Sequence, residues 1–409
     1  LRKLIRLVEE AEENKAPIVR IADKWARILV PVALGSALLI WLITRDVQRA
    51  VTALVVFCPC SLILATPTAM MAAIGNATKQ GILIKSGAAV EAVSRLDTFA
   101  MDKTGTLTYG RPQVEEIALL DPGMDKARFI GLVASAEKCS EHPLGKAIVA
   151  YAQSQGIAAV DPESFEMRSG RGVAARVGGR EVLVGEKAVG RALLEESPGA
   201  LGLIKAMEAR GMTVLPVASD GRLIGLLAIA DVLRKEAPEA VAGLKKAGIR
   251  RLIMLTGDNQ TVAEAIGRAA GMTEVHASQL PAEKVDAIRR LSAEGLRVAM
   301  LGDGVNDAPA LAAASVGIVM GAIGSEVSIE AADIALMGDD IAKLPFLVAL
   351  CRKARGRIVF NIAFSMCLNF GAILLAGLGL LNPVTAALVH NCGSVFVVVN
   401  SAMLLAYRQ

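Results

Sequence analysis

Aromatic side chains are scarce in this chain: nine Phe, three Tyr and two Trp make up 3% of 409 residues. Platforms that stack nucleic-acid bases need such rings. The formal net charge is only +4 and no long basic run occurs, so nucleic acid is excluded as a partner. Cysteine is sparse too. Of the six, Cys58, Cys60, Cys367 and Cys392 lie in apolar stretches, and only Cys139 and Cys351 lie outside them, which is no secreted disulfide framework. A G-x4-G-K-[ST] sequence is absent, which removes the P-loop ATPases. The opening LRKLIRLVEEAEENKAP carries both charge signs and is no signal peptide; without an initiating Met, it reads as the middle of a longer protein.

What is present points to a chain of two natures. Apolar residues make up 54% of it and charged residues 21%, with a mean hydropathy of +0.50. The length predicts two or more domains. Four apolar segments, 27–44, 50–72, 358–381 and 384–407, each approach the ~20 residues that span a hydrocarbon core. Short links, TRDVQR and NPV, join them as two helical hairpins. Lys79 and Lys85 precede the large insert between the hairpins, and Arg352, Lys353, Arg355 and Arg357 follow it. That bias predicts a cytoplasmic insert, with Arg45 and Arg49 running against it.

From 85 to about 350, short apolar runs such as TFAMD, RLIML, RVAML and VGIVM alternate with Ala/Leu-rich helical patterns. This predicts a parallel, doubly wound sheet. The stretch 116–228 interrupts the alternation with glycine turns and reads as an inserted, separately folded domain.

In a doubly wound sheet, ligands bind beyond the carboxyl ends of the strands. Asp102, in MDKTGTLTYG, ends one of those strands. A carboxylate there can attack a phosphoryl group and hold it as an aspartyl phosphate, although a strand-ending Asp can also cap a helix. Lys103, Thr104 and Gly105 supply a cation, small side chains and backbone amides. After a second strand, Thr256, Gly257 and Asp258 suit phosphate oxygens, and Lys284 in LPAEK brings another cation. After a third, GDGVNDAPAL carries Asp303, Asn306 and Asp307. With Asp102 these are hard oxygen ligands of the kind Mg²⁺ takes.

The other anomaly is Cys58-Pro59-Cys60 inside an apolar segment. Proline removes a backbone donor and breaks the helix, and in lipid the freed carbonyls must line a site. Two thiolates are soft ligands for Cu(I), Zn²⁺, Cd²⁺ or similar ions.

DKTGT, TGD and GDGxNDxPAL, in that order, resemble the signatures of P-type ATPases, and CPC resembles the ion helix of the heavy-metal-transporting subfamily. The resemblance covers nearly the whole chain. It implies transmembrane helical hairpins plus an α/β haloacid-dehalogenase-like phosphorylation domain carrying an inserted α+β nucleotide-binding domain. By that likeness 1–24 ends the actuator linker, 25–84 and 351–409 hold two membrane helices each, 85–115 and 230–350 form the phosphorylation domain, and 116–229 binds the nucleotide. ATP would be held by Glu137, His142, Pro143, Gly170 and Gly172, and Mg²⁺ by Asp102, Thr104, Asp303 and Asp307. No T-G-E occurs, so the actuator domain and first membrane helices are expected to be absent from this chain, as is an N-terminal CxxC module.

The resemblance assigns the transported ion to Cys58 and Cys60, with partners from the third and fourth apolar segments. Candidates are Asn361 and Asn369, eight residues apart with Met366 and Cys367 nearby, then His390 and Ser394, with Asn391 and Cys392 between; Asn400 reads as structural. A histidine inside a span is costly and points to function. Copper pumps pair CPC with Tyr-Asn and Met-x-x-Ser-Ser; here Leu368 and His390 replace the Tyr and the Met. Zinc and cadmium pumps carry Lys and Asp where Asn369 and His390 stand. Cobalt-type pumps have a similar His-containing run but Ser-Pro-Cys. CPC with His-Asn-x-x-Ser resembles a group some of whose members are linked to manganese or zinc. The expectation is a divalent Zn/Cd/Co/Mn-type ion, exported across the cell membrane by a multi-pass protein with cytoplasmic catalytic domains. Cu(I) export and a membrane-anchored phosphatase are the alternatives. Partners implied are the metal ion, membrane lipid and a delivering metallochaperone.

Overall fold

The computed structural model describes residues 17–57, 60–168, 172–303, 307–321, 330 and 332–408. It divides into two compact units: Leu1–Phe99 with Gly243–Arg250 and Val285–Gln409, and Ala100–Ala242 with Arg251–Lys284.

The first unit carries the apolar helices Pro17–Thr44, Val47–Val56, Cys60–Lys79, Leu344–Gly377 and Pro383–Ala402. Local chemistry sets their ends. Asp46 accepts the amides of Gln48 and Arg49 at the start of the second, and Asn382 forms a reciprocal capping box with Thr385 ahead of the last. The apolar stretch 50–72 is two helices, not one. The first stops at Val56 and the next starts at Cys60, with Cys58 and Pro59 outside the described residues. Among the described residues Ile341–Gly377 and Pro383–Ala406 are long and apolar enough to cross a membrane; Val30–Thr44 and Val47–Val56 are shorter apolar helices.

Helix Leu344–Gly377 starts well before its apolar part, because Leu344, Leu347, Val348, Leu350 and Ala354 are buried. Arg352, on the same helix, donates to the carbonyls of Ala247 and, at 2.8 Å, Leu96. Polar side chains join the last two helices, as interhelical hydrogen bonds do in lipid. Asn361 Nδ2 donates to Ser401 Oγ (3.0 Å) and the Val397 carbonyl (3.4 Å), and its Oδ1 accepts from Asn400 Nδ2 (2.6 Å). The same unit holds four strands in the spatial order Ile82–Ile84, Ile334–Leu336, Val316–Met320, Val298–Gly302. The first pair is antiparallel and the next two pairs are parallel.

In the second unit, strand Thr98–Asp102, which enters it at Ala100, neighbours Arg251–Leu255, itself parallel to Glu274–His276. All five residues of Thr98–Asp102 are buried, as the apolar run TFAM predicts for a central strand. The inserted domain is a six-stranded antiparallel sheet ordered Thr108–Leu119, Arg222–Leu233, Thr213–Ser219, Arg180–Val184, Gly172–Val177, Ser164–Arg168. Helices Lys126–Ala136 and Pro143–Ser154 close one core with it, around Phe129, Val133, Ile148, Val182 and Leu227. The first rung of its outer pair joins Thr108 to Leu233, so the strands leading in and out extend past the 116–228 marked by glycine turns.

Candidate functional site

Asp102 ends its strand at the mouth of a tight turn. Thr104 (φ −74°, ψ 128°) and Gly105 (φ 73°, ψ −11°) have the angles of a type II turn, whose third position needs positive φ. That is why glycine follows D-K-T. The Asp102 carboxylate is buried and its Oδ1 lies 2.5 Å from Lys284 Nζ. Lys284 reaches it from the first turn of helix Pro281–Ala293. Lys103 is paired at 2.5 Å with Asp258 Oδ2. The Thr256–Asp258 segment is fixed by backbone bonds: the Thr256 amide donates to the His276 carbonyl (3.0 Å), and the Gln279 amide to the Thr256 carbonyl (2.9 Å). Thr256 Oγ1 accepts the Asp258 amide (3.2 Å). The structure thus brings Asp102, Lys103, Asp258 and Lys284 into two lysine–carboxylate pairs in one unit, with Thr256 and Gly257 beside them.

Two further residues secure the turn, and the sequence reading missed both. Buried Arg234 donates from Nε to the Thr108 carbonyl and from Nη2 to the Gly105 carbonyl, each at 3.1 Å, with its guanidinium 5.0 Å from the Tyr109 ring centre. Asp231 accepts the Arg111 amide (3.1 Å) and lies 2.5 Å from the Thr108 hydroxyl. The only sequence signal was D-V-L-R at the end of the strand that leaves the insert.

Asp303 and Asp307 belong to the first unit, just after strand Val298–Gly302. Asp307 is 2% exposed, and a Cβ at Gly302 would stand 2.7 Å from its Oδ2, so glycine there lets the carboxylate fold under the strand end. Asn306 lies outside the described residues. No group of three His, Cys, Asp or Glu side chains gathers as a metal cage among the described residues. The carboxylates of Asp102, Asp303 and Asp307 and the oxygens of Thr104 are hard donors, and in chemistry they fit Mg²⁺.

In the insert, Glu137 follows helix Lys126–Ala136, His142 caps helix Pro143–Ser154, Pro143 takes the first helical position, and Gly172 opens a strand on the same core. His142 Nδ1 accepts the Leu144 amide (3.2 Å), which leaves its proton on Nε2, and desolvation lowers its pKa. Gly170 lies outside the described residues. Gly145, in the first turn of helix Pro143–Ser154, carries no motif that marks it in the sequence. A Cβ there would stand 2.5 Å from Glu137 Oε2 and 2.6 Å from Ser140 Oγ, so its bareness makes room for the buried carboxyl.

Burial raises the Glu137 pKa, and a hydrogen bond with Ser140 opposes the rise. A raised folded-state pKa favours the protonated form on folding. Its contribution to stability is full below the ordinary carboxyl range and is lost as pH climbs through the folded-state value. Glu137→Gln, a neutral mimic, is therefore expected to remove that loss. Between about pH 5 and about pH 8, the melting midpoint of wild type should drop a few degrees more than that of the variant. Parallel melting curves would refute a buried ionisable Glu137.

Of the ion-site candidates, Cys58 lies outside the described residues, and the Cys60 side chain does too, although its backbone begins a helix. Asn369 is buried, and Ser394 Oγ donates to the His390 carbonyl (3.1 Å). His390 is half-buried; its Nδ1 is buried without a hydrogen-bond partner among the described residues, as are Ser365 Oγ, Ser61 Oγ and Thr66 Oγ1. Ser365 falls between Asn361 and Asn369 at helical spacing, a signal present in the sequence and passed over. Asn361 is committed elsewhere, to Ser401 and Asn400. Gly393 meets Leu368 without room for a Cβ, which brings the turns bearing Asn369 and Ser394 together.

A haloacid dehalogenase-like hydrolase model matches residues 96–315. The manganese-exporting P-type ATPase of Mycobacterium tuberculosis (strain ATCC 25618 / H37Rv) is 39% identical over 407 residues, 99% of this chain and 57% of that protein. The zinc-exporting P-type ATPase of Mycobacterium marinum is 39% identical over 411 residues, 99% of this chain and 56% of that one. A crystal structure of a zinc-transporting PIB-type ATPase in the E2.Pi state aligns with a TM-score of 0.79 at 35% identity, covering 98% of this chain and 67% of that chain. The chain thus spans a little over half the length of the curated relatives it matches.

Proposed function

Because the chain belongs to the heavy-metal-transporting P-type ATPases, built on a haloacid dehalogenase-like hydrolase domain, we propose that it couples phosphorylation of Asp102 by ATP to export of a divalent transition-metal ion. The observation that carries this is the pairing of a buried strand-end carboxylate with Lys284 beside the Lys103–Asp258 pair. A carboxylate oxygen of Asp102 bonds to the γ-phosphorus as the bond from that phosphorus to the β–γ bridging oxygen breaks. The electron pair leaves with ADP. Lys284, held on Oδ1, orients the nucleophile and offsets the charge of the incoming phosphoryl group. The Thr256 hydroxyl positions its oxygens, and Asp258 does so through the Lys103 ammonium it holds. Mg²⁺, held by Asp102, Thr104, Asp303 and Asp307, would neutralise phosphate charge. Glu137, His142, Pro143, Gly170 and Gly172 hold ATP in the insert, so 116–229 is the nucleotide-binding domain and 85–115 with 230–350 the phosphorylation domain.

The ion passes through Cys58, Cys60, Asn369, His390 and Ser394. The Nδ1 of His390, without a partner among the described residues, supports a borderline divalent ion over Cu(I). The relatives' names, manganese-exporting and zinc-exporting at equal identity, leave the choice within that class. The protein sits in the cell membrane with its catalytic parts in the cytoplasm, and a metallochaperone and an actuator domain complete its partners.

The test is phosphorylation of the full-length protein by labelled ATP across Zn²⁺, Cd²⁺, Co²⁺, Mn²⁺ and Cu(I). One divalent ion should raise the acid-stable phosphoenzyme, and Cys58→Ser should remove the rise. Phosphorylation indifferent to every metal would sink the transport reading, and a response to Cu(I) alone would replace the divalent assignment.

A further inference from the structure

From residue 341 to the end the chain has no Asp or Glu, yet it carries Lys343, Arg352, Lys353, Arg355, Arg357 and Arg408. Two recesses form within this stretch. One, of about 530 Å³, is lined by Lys353, Gly356, Arg357, Phe360 and Asn400 among others. The second, of about 460 Å³, shares Lys353 and Arg357 and adds Met403, Tyr407 and Arg408.

The cations differ in what they are free to do. Arg352 is spent on the Ala247 and Leu96 carbonyls. Among the described residues Arg357 makes its hydrogen bonds, to the Asn400 carbonyl (2.6 Å) and side chain and weakly to Met403 sulfur, through Nη1 alone. The guanidinium is thereby fixed while Nε and Nη2 stay available. Lys353 is exposed with its ammonium 5.9 Å from the Tyr407 ring centre. Arg357 is also the last charged residue before Ile358–Gly377, and Phe360 and Met403, which line the recesses with it, are exposed. Cations meet bare apolar surface here, which is where a lipid places its phosphate above its acyl chains.

We propose that the paired recesses around Lys353, Arg357 and Arg408 bind the phosphodiester headgroup of an anionic phospholipid. The lone apolar rim argues for lipid over free phosphate. The proposal rests on the membrane placement of these helices, not on the identity of the ion or on the phosphorylation chemistry.

The experiment is native mass spectrometry of the full-length protein released from an equimolar mixture of phosphatidylglycerol and phosphatidylcholine. Wild type should retain phosphatidylglycerol selectively, and selectivity should fall about fivefold for each charge removed in Lys353→Gln and Arg408→Gln. Gly356→Phe offers a second arm. A Cβ at Gly356 meets nothing within 4 Å, so the ring fills the recess with every charge intact, and it should also lower retention. Unchanged selectivity in the double charge variant overturns the site, as does unchanged retention in Gly356→Phe. Release of the lipid by millimolar inorganic phosphate would reassign the recess to free phosphate and overturn the lipid proposal.

Discussion

Lys284→Met is expected to slow phosphoenzyme formation by about 10²- to 10³-fold while leaving ATP affinity within a few-fold of wild type. Lys284 Nζ lies 2.5 Å from Asp102 Oδ1, and both side chains are buried. Methionine keeps most of the aliphatic stem and removes the ammonium, and with it the charge and the hydrogen bond to Oδ1. Two losses then act together. The carboxylate is left in a poorly solvated site without its nearest cation, and the phosphoryl group must approach a negative nucleophile with less charge to offset it. The Lys103–Asp258 pair cannot substitute, since each of those charges already neutralises the other. Single-turnover quench with labelled ATP gives the rate, and nucleotide titration gives the affinity. A rate within about threefold of wild type would show that Lys284 is a structural counter-ion only.

Gly172→Ala is expected to destabilise the insert by about 3–5 kcal/mol and to weaken ATP binding at least tenfold. Gly172 sits at φ +116°, outside the region L-residues use, and a Cβ there would run into the Val184 carbonyl oxygen of the paired strand and reach within 3.1 Å of Ala188. The neighbouring backbone cannot yield, because Val173 and Val184 are ladder partners in the next rung. Gly178 makes the comparison decisive. Its φ is +57°, a left-handed value, but its Cβ would meet nothing within 4 Å. Gly178→Ala should therefore cost only about 1 kcal/mol. Melting curves and nucleotide titration of both variants separate strain alone from strain with collision. Equal losses would mean that Gly172 is needed for its backbone conformation, not for the space it leaves.

The strand-end motifs were legible because each combines a short apolar run with a polar turn, the pattern of a strand buried on both faces. Glycine after D-K-T could be read the same way, and its φ of 73° bears that out. Arg234 and Asp231 were not legible. A charged pair at the end of a strand says nothing about which carbonyls it will reach more than 120 residues earlier in the chain. Asn361 shows the limit of periodicity. Helical spacing put it on one face with Asn369, and both are indeed buried on that face, but only the neighbouring helix decides that Asn361 is taken by Ser401 and Asn400. Hydropathy located the apolar part of the helix Leu344–Gly377 but not its start, because Leu344–Ala354 is buried by packing, not by lipid length. Gly145 escaped for a similar reason: its role is the room it leaves for Glu137, and empty space has no letter in a sequence.

The antiparallel rung that joins Thr108 to Leu233 has a consequence for ancestry and for engineering. Paired strands run about 5 Å apart, so the chain leaves and rejoins the phosphorylation fold through a gap that a two-residue hairpin could close. A guest domain that departs and returns through one doorway imposes no more on its host than a short loop does. Its length can drift, and a foreign module with neighbouring ends can replace it, while Asp102 keeps its turn. Exchange of the module at that doorway thus leaves the residues around Asp102 unaltered in sequence.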